Sequence, residues 1–119
     1  MYQTYGEYQK NGQEFVVAQR KTPRHWYNYF YNDTYNAFAS QTAFGEGLVQ
    51  DSLGRRILLV TSRMLYLADR ENGEWFTANG LPMPREYDSY RCRHNLGYTT
   101  IESSFKGIDM EYTIFVPAQ

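Results

Sequence analysis

The sequence lacks the long apolar runs, paired cysteines and leader segment that define several classes of protein. No run approaches the roughly 18 apolar residues of a transmembrane helix, so we expect no membrane partner. The first 13 residues contain no apolar core, so we expect no secretory signal there. Cys92 is the one cysteine among 119 residues, which excludes an internal disulfide and favours a reducing, cytoplasmic location.

A charge of one sign is also missing. The chain has 12 Lys and Arg against 13 Asp and Glu, a formal net charge of −1, which gives no overall attraction to polyanions. A local pattern instead favours a single-stranded nucleic-acid binder as an alternative function, because basic side chains interleave with aromatic ones. These basic side chains are Arg24, His25, Arg91, Arg93 and His94. The acidic balance opposes that alternative, and we expect no nucleic-acid partner.

Sequence motifs for catalysis, metals and cofactors are absent as well. There is no Gly-x-Ser-x-Gly and no phosphate-binding glycine loop. His25 and His94 have no second ligand at metal spacing, and Cys92 shares a strand face with Tyr90 and His94, which is typical of a small buried thiol. The carboxylates lie nearly all in turn-like segments. We therefore predict no catalytic residue, no metal site and no cofactor.

Aromatic residues, in contrast, are abundant. They make up 18% of the chain, with 12 Tyr, and four of them fall in the stretch TPRHWYNYF, residues 22–30. Such a run suits three different roles: a sugar-stacking platform, a nucleic-acid surface, or a strand packed into a β-core.

Turn signals recur about every ten residues and predict an all-β chain. Asn11-Gly12 and Asn72-Gly73 each suit a tight hairpin. Residues 55–69 are the most apolar segment, and their β-branched content favours strands over a helix. Residues 79–86 form a predicted loop, because two prolines there cannot donate to a sheet.

The C-terminal third predicts a three-stranded meander, in which Met110, Tyr112, Ile114 and Val116 share one face of the last strand. We predict a single antiparallel β-sandwich domain over residues 1–119.

Several of these segments together resemble one family. They are similar to the start of the inverting glycoside phosphorylases, which include cellobiose, cellodextrin and chitobiose phosphorylases. The similar segments are YGEY at 5–8, EFVV at 14–17, TPRHWYNYF at 22–30, SQT at 40–42, GEG at 45–47, the Asp51 to Arg56 element, YLADRENGEW at 66–75 and RHNLGYTTIESSFKGIDMEYTIFVP at 93–117.

The resemblance implies a fold and a role. It implies the first part of a galactose-mutarotase-like β-supersandwich, a domain outside the family's helical catalytic barrel. The general-acid Asp and the phosphate-binding residues of the family lie in that barrel, so none carries over to this chain. The implied function is a non-catalytic accessory domain of an enzyme that phosphorolyses a β-linked disaccharide. The turn at 44–48 departs from the family pattern, and the substrate stays open.

Five residues are candidates for contacting carbohydrate or another interface: Arg24, Trp26, Tyr27, Tyr29 and Trp75. For the aromatic ones in 22–30 we favour packing within the sandwich over sugar stacking. Arg55 and Arg56 are candidates for binding an anion, although ion pairing with Asp51 or Glu46 is the interpretation that we favour.

The expected partners are a weakly bound carbohydrate and either a second copy or a catalytic barrel. Half of a supersandwich would expose strand edges and apolar faces, so we expect self-association, most simply as a dimer that buries part of the tyrosine-rich surface. A stand-alone carbohydrate-binding module is the main alternative function.

Overall fold

The structure is a computed structural model that describes residues 4–118. The described residues form strands and connecting loops without a helix, which confirms the all-β prediction. The strands are β1 (Gly6–Gln9), β2 (Glu14–Val17), β3 (Asn28–Tyr31), β4 (Tyr35–Ala39), β5 (Gly47–Gln50), β6 (Arg56–Val60), β7 (Tyr66–Ala68), β8 (Trp75–Thr77), β9 (Ser89–Asn95), β10 (Tyr98–Phe105) and β11 (Ile108–Phe115).

These strands form three antiparallel sheets. The largest sheet has five strands in the order β1-β2-β9-β10-β11, and the second has four in the order β3-β4-β5-β6. The small sheet contains β7 and β8. The four-stranded sheet packs on the five-stranded one, so the prediction of an antiparallel sandwich is confirmed.

Both predicted hairpin turns are present. Lys10, Asn11 and Gly12 have φ angles of 49°, 56° and 82° between β1 and β2, a left-handed run that Asn and Gly tolerate. Gly73, with φ of 73°, lies in the turn that pairs β7 with β8. The apolar segment at 55–69 is extended as predicted, and it supplies β6 to one sheet and β7 to another.

The main core lies between the two larger sheets. Its buried members come from both sheets and, for Ala43, from the β4–β5 loop: Val17, Phe30, Ala37, Ala39, Ala43, Cys92, Ile101 and Ile114. A second cluster joins the small sheet to the end of the meander through Phe76, Ala78, Phe105 and Met110. Met110 and Ile114 are buried and Tyr112 is half-buried, so the predicted inner face of β11 is confirmed.

A polar side chain also joins the two larger sheets. Asn28 Nδ2 on β3 donates to the carbonyls of Asn95 and Tyr98, at 2.6 and 3.1 Å. Its distance to Thr99 Oγ1 is 3.1 Å. These contacts fix the start of β3 against the β9–β10 turn, and thereby fix which side chains of β3 point outward.

The outer face of the five-stranded sheet is charged and internally paired. Arg93 contacts Glu14 at 3.3 Å and Glu102 at 2.9 Å, and Arg91 Nε lies 2.5 Å from Glu102. Burial would raise the pKa of the Glu102 carboxyl, but its hydrogen bond with Arg91 and the charge of Arg93 outweigh burial and lower that pKa. Arg91 and Arg93 are therefore occupied in ion pairs, which weighs against the nucleic-acid alternative.

Candidate functional site

Strand alternation divides the aromatic residues of β3 between the core and the solvent. Phe30 is buried against the five-stranded sheet, whereas Tyr29 and Tyr31 are 66% and 78% exposed. Tyr29 is opposite Phe38 of β4, and residues paired across an antiparallel ladder share a face. The outer face of the four-stranded sheet is therefore aromatic.

Six neighbouring rings, exposed except for the half-buried Phe38, form a row that we call the aromatic strip. It consists of Phe44, His25, Tyr27, Phe38, Tyr29 and Tyr31. The ring centroids of Phe44 and His25 are 4.9 Å apart, and those of His25 and Tyr27 are 5.6 Å apart. Phe38 lies 5.4 Å from Tyr27 and 6.0 Å from Tyr29. Tyr31 follows two residues after Tyr29 on the same face.

One buried glutamine holds the loop that carries half of this row. Gln41 Oε1 accepts from the Trp26 backbone N–H at 3.0 Å, and Gln41 Nε2 donates to Thr22 Oγ1 at 2.8 Å and to the Arg20 carbonyl at 3.2 Å. Gln41 is itself buried. The sequence did not reveal this role of Gln41. The one local feature that could have indicated it is the polar run Ser-Gln-Thr between Ala39 and Ala43, both of which are buried in the structure.

A shallow groove of about 250 Å³ lies at the end of the strip that β3 and β4 form. Its lining combines the rings of Tyr29, Tyr31 and Phe38 with Leu48 and two polar side chains, Asn36 and Glu46. The amide donates and accepts hydrogen bonds, and the carboxylate accepts them. Flat apolar rings beside amide and carboxylate groups match a ligand with an apolar face and hydroxyl edges.

Trp26 lies beside the end of the strip that Tyr27 and His25 form, at the edge of the core. Its ring stacks on Phe15 with centroids 5.0 Å apart and an interplanar angle of 13°, and the Arg24 guanidinium lies 5.7 Å from the ring centroid. Trp26 also lines a second groove of about 350 Å³ together with Tyr8, Tyr27 and Asn95. Phe15 thus covers one face of the Trp26 ring, a contact that fits the packing role favoured for this residue.

Trp75 is apart from both grooves, on β8 of the small sheet. It is half-buried, its ring centroid is 5.9 Å from that of Tyr66, and the Arg85 guanidinium lies 5.7 Å from the ring. The structure thus brings Tyr27 and Tyr29 together in the aromatic strip, and it places Arg24 and Trp26 beside Tyr27 in a neighbouring groove. Trp75 lies apart from these residues, in the small sheet.

The two candidate anion-binding arginines lie at the β5–β6 turn. Arg55 Nε contacts Asp51 Oδ2 at 2.6 Å, and the Asp51 carboxylate also accepts from the backbone N–H groups of Leu53 and Arg55. The hydrogen bond from the Arg55 backbone is the largest cause that lowers the pKa of Asp51. Arg55 is thus in an ion pair, while Arg56 is exposed at the start of β6.

The two chemically reactive groups of the core are in structural positions. His94 contacts Thr99 Oγ1 and the Trp26 carbonyl, both at 2.8 Å, and burial lowers its pKa to about 4. Cys92 is fully buried, and burial raises the pKa of its thiol. Within residues 4–118, no group of three or more His, Cys, Asp or Glu could hold a metal, and no helix is long and apolar enough to cross a membrane.

Comparison with known proteins identifies the domain to which this sandwich corresponds. Residues 13–119 match the family described as "Glycosyl hydrolase 94, supersandwich domain". The chain is 36% identical over 113 residues to a 3-O-beta-D-glucopyranosyl-beta-D-glucuronide phosphorylase of Paenibacillus borealis, covering 95% of this chain and 15% of that protein. It is 31% identical over 125 residues to a solabiose phosphorylase of the same organism, covering 97% of this chain and 16% of that protein.

A more distant relative extends the same result. An N,N'-diacetylchitobiose phosphorylase of Vibrio proteolyticus is 24% identical over 123 residues, covering 95% of this chain and 15% of that enzyme. This chain therefore spans about 15% of the length of the phosphorylases that it matches. The family resemblance of the sequence motifs is confirmed: the chain belongs to the glycosyl hydrolase 94 family, as a part of its supersandwich domain.

Proposed function

We propose that this chain is a non-catalytic accessory domain of a glycoside phosphorylase. The matched region is a supersandwich domain, and it is a small part of each phosphorylase that resembles it. The whole enzyme would cleave a β-linked disaccharide with inorganic phosphate and invert the anomeric configuration. The unpaired thiol of Cys92 is compatible with a cytoplasmic enzyme.

The chemistry of that reaction supports the absence of a catalytic role here. An inverting phosphorylase needs an acid that protonates the leaving oxygen, while phosphate takes the place of the water and base of an inverting hydrolase. The described carboxylates with a lowered pKa are held by hydrogen bonds, as in Glu14 and Glu102, or by a turn, as in Asp51. Such carboxylates stay ionised at neutral pH and are poor proton donors.

The aromatic strip is the surface that we assign to carbohydrate. The observation that carries this assignment is the row of neighbouring rings from Phe44 to Tyr29, exposed except for the half-buried Phe38, with Asn36 and Glu46 beside it. Pyranose rings present an apolar face to aromatic side chains and hydroxyl groups to amides and carboxylates. The strip is shallow and open, so we expect weak binding.

The test is a calorimetric titration of this chain with cellobiose, laminaribiose and N,N'-diacetylchitobiose at millimolar concentration. Tyr29→Ser and Tyr31→Ser remove rings from the strip, and Tyr66→Ser removes an exposed ring from the small sheet as a matched control. Loss of one stacked ring corresponds to about 1 kcal/mol, a fall in affinity of roughly fivefold. Affinity that falls in the strip variants but not in Tyr66→Ser supports the assignment.

A second candidate role for the same surface is docking on a catalytic barrel. The observation that favours it is the apolar content of the strip, which continues into Leu48 and Leu59 across the sheet. If the strip serves only for docking, the calorimetric titration with sugar should give no heat of binding. This chain should then bind to the separately prepared barrel of a phosphorylase. Saturable sugar binding without any affinity for the barrel would instead favour a stand-alone carbohydrate-binding module.

Catalysis needs a separate test, because sugar binding and turnover are independent. We expect no release of sugar 1-phosphate when this chain is incubated with phosphate and each disaccharide. Turnover that co-purifies with the chain and is lost on denaturation would overturn the non-catalytic assignment.

A further inference from the structure

A groove of about 270 Å³ lies where the β2–β3, β4–β5 and β8–β9 loops meet, and its charge is of one sign. Three of its lining side chains are positively charged at neutral pH: Arg20, Lys21 and Arg24. None of its lining residues is acidic. We call this surface the basic groove. It concentrates positive charge locally, although the whole chain has a net charge of −1.

The three cations of the basic groove form no ion pair with a carboxylate of residues 4–118. The ion pairs of that part of the chain use five other basic side chains: Lys10, Arg55, Arg91, Arg93 and Lys106. Like charges that line one concave surface without a counter-charge attract anions from solution. An anion that enters the basic groove therefore has no carboxylate of this part of the chain to displace.

Arg20 has a fixed place in this groove. It is half-buried, and its aliphatic stem crosses Gly80, where an added Cβ would collide with Arg20 Cδ. Burial raises the pKa of the Tyr90 hydroxyl, and the charge of Arg20 lowers it, because the guanidinium lies near that hydroxyl. The Tyr90 oxygen is 2.8 and 3.0 Å from the carbonyl oxygens of Gln41 and Asn79, to which it donates. Tyr90 therefore brings no negative charge to Arg20.

The backbone that carries the three cations is held in place by hydrogen bonds. Gln41 Nε2 donates to the Arg20 carbonyl and to Thr22 Oγ1. Thr22 Oγ1 in turn donates to the Arg24 carbonyl at 2.5 Å. A site whose backbone is already ordered loses less conformational entropy when a ligand binds.

The basic groove adjoins one end of the aromatic strip. His25 lines the groove, and its ring is also a member of the strip, with Phe44 on one side and Tyr27 on the other. Arg24 is the residue before His25, and its guanidinium extends towards the Trp26 ring. A single small ligand can therefore contact an aromatic ring and a cation at the same time.

We propose that the basic groove binds the oxyanion of an acidic sugar, whose pyranose ring lies against His25 and Tyr27. This inference rests on the assignment of the aromatic strip to carbohydrate proposed above. Arginine donates through a planar fork that matches the oxygens of carboxylate and phosphate groups, and lysine adds a compact positive charge. The ligand chemistry is thus an oxyanion on a sugar ring, either the carboxylate of a uronic acid or a phosphate ester.

The small extent of the basic groove favours a sugar over a nucleic acid. A single-stranded nucleic acid needs a positive groove that follows several successive phosphates. The cations here are confined to residues 20–24, and Arg91 and Arg93 are paired with carboxylates on the outer face of the other sheet. The groove therefore offers a place for one anionic group.

The test is a calorimetric titration of this chain with glucose, glucuronate and glucose 6-phosphate at low ionic strength. At least one of the two acidic sugars should bind about tenfold more tightly than glucose, as expected for one hydrogen bond to a charged group. Added NaCl should reduce this advantage, because salt screens exposed charges. The acidic sugar with the higher affinity identifies the oxyanion as carboxylate or phosphate.

Two substitutions locate the binding. Arg20→Gln and Lys21→Gln should each weaken binding of the acidic sugar about fivefold. Arg70→Gln makes the same substitution at an exposed arginine of the β7–β8 turn and should bind like the wild type. If Arg20→Gln does not show the native fold by circular dichroism, Lys21→Gln decides, because Lys21 is exposed.

Four results would overturn this proposal. They are acidic sugars that bind no more tightly than glucose, an advantage that survives in both groove variants, inorganic phosphate that binds as tightly as the preferred acidic sugar, and oligothymidylate that binds more tightly than either. The second result would place the oxyanion elsewhere, the third would mean recognition of a free ion, and the fourth would favour a nucleic acid.

A cellobiose titration separates this proposal from the assignment of the aromatic strip. Cellobiose binding that is weakened by Tyr29→Ser, without any gain from an oxyanion, would refute the basic groove and leave the strip assigned to carbohydrate. A preference for an acidic sugar that Lys21→Gln removes, without any binding of cellobiose, would support the groove and refute the strip as a site for neutral sugars.

Discussion

A buried histidine makes the stability of this domain depend on pH well above the range of its carboxylates. His94 lies in the core between the two larger sheets, and burial lowers its pKa from 6.5 to about 4. Its neutral form is well satisfied: one ring nitrogen donates to the Trp26 carbonyl, and the other accepts from Thr99 Oγ1, both at 2.8 Å. Protonation would put an unpaired charge in this site.

The sign and size of the effect follow from these two pKa values. The folded state holds neutral imidazole, so His94 contributes its full stabilisation above pH 6.5, and this is lost as the pH falls towards 4. Each pKa unit corresponds to 1.36 kcal/mol, so lowering the pH from 7 to 4.5 should remove about 2.5 kcal/mol from the free energy of unfolding.

The assay is urea denaturation at half-unit steps of pH, with His94→Gln as the variant. Glutamine can donate to the Trp26 carbonyl but does not titrate, so its stability should be nearly flat between pH 7 and 5. His25→Gln is the matched control, because it makes the same substitution at an exposed histidine of the β2–β3 loop. A slope that changes equally in both variants would mean that the effect is not specific to His94.

The slope of stability against pH decides the outcome. If His94→Gln loses stability between pH 7 and 5 as steeply as the wild type, His94 is not the titrating group and the burial argument is wrong. Measurements below pH 4.5 do not separate the two explanations, because the carboxyl groups of Glu14, Glu102 and Asp51, with lowered pKa values, lose their stabilising contribution there.

Three further substitutions or reactions test the packing. Ile101→Ala should lower the free energy of unfolding by about 2–5 kcal/mol in urea denaturation, because Ile101 is fully buried in the main core; a loss below 1 kcal/mol would contradict that position. Gly45→Ala should destabilise the fold by at least about 2 kcal/mol in thermal melts, because an added Cβ would collide with the backbone carbonyl of Phe38. Gly12→Ala meets open space and should cost about 1 kcal/mol. Equal losses in the two variants would refute the clash. Cys92 should react with a thiol reagent at pH 8 only after unfolding, because its thiol is buried with a raised pKa; rapid labelling of the native chain would contradict this.

Local patterns were enough to predict most of the fold. Asn11-Gly12 and Asn72-Gly73 define hairpins through backbone preferences that act over a few residues. The meander follows from strict alternation, which identified Met110 and Ile114 as inward-facing. Such signals are local in sequence, so they can be interpreted without knowing the packing.

The organisation of the candidate site could not be predicted in the same way. The packing of the Trp26 ring depends on its contact with Phe15 of β2. The conformation of the loop around Trp26 depends on a hydrogen bond with Gln41, 15 residues away. Phe38 and Phe44 complete the aromatic strip, but of the strip residues only Tyr27 and Tyr29 were among the five sequence-based candidates for contacting carbohydrate or another interface. Register between β3 and β4 decides this grouping, and register is a tertiary property.

The most direct test of the proposed function is to map where a disaccharide contacts this chain. Aromatic-ring NMR spectra, assigned for Tyr27, Tyr29, Tyr31 and Trp26, should be recorded during titration with N,N'-diacetylchitobiose and cellobiose. The account predicts shifts that saturate for Tyr29 and Tyr31, with the Trp26 ring unchanged. Shifts confined to Trp26 would move the carbohydrate surface to the second groove, and no shift at any ring would contradict carbohydrate contact by this domain.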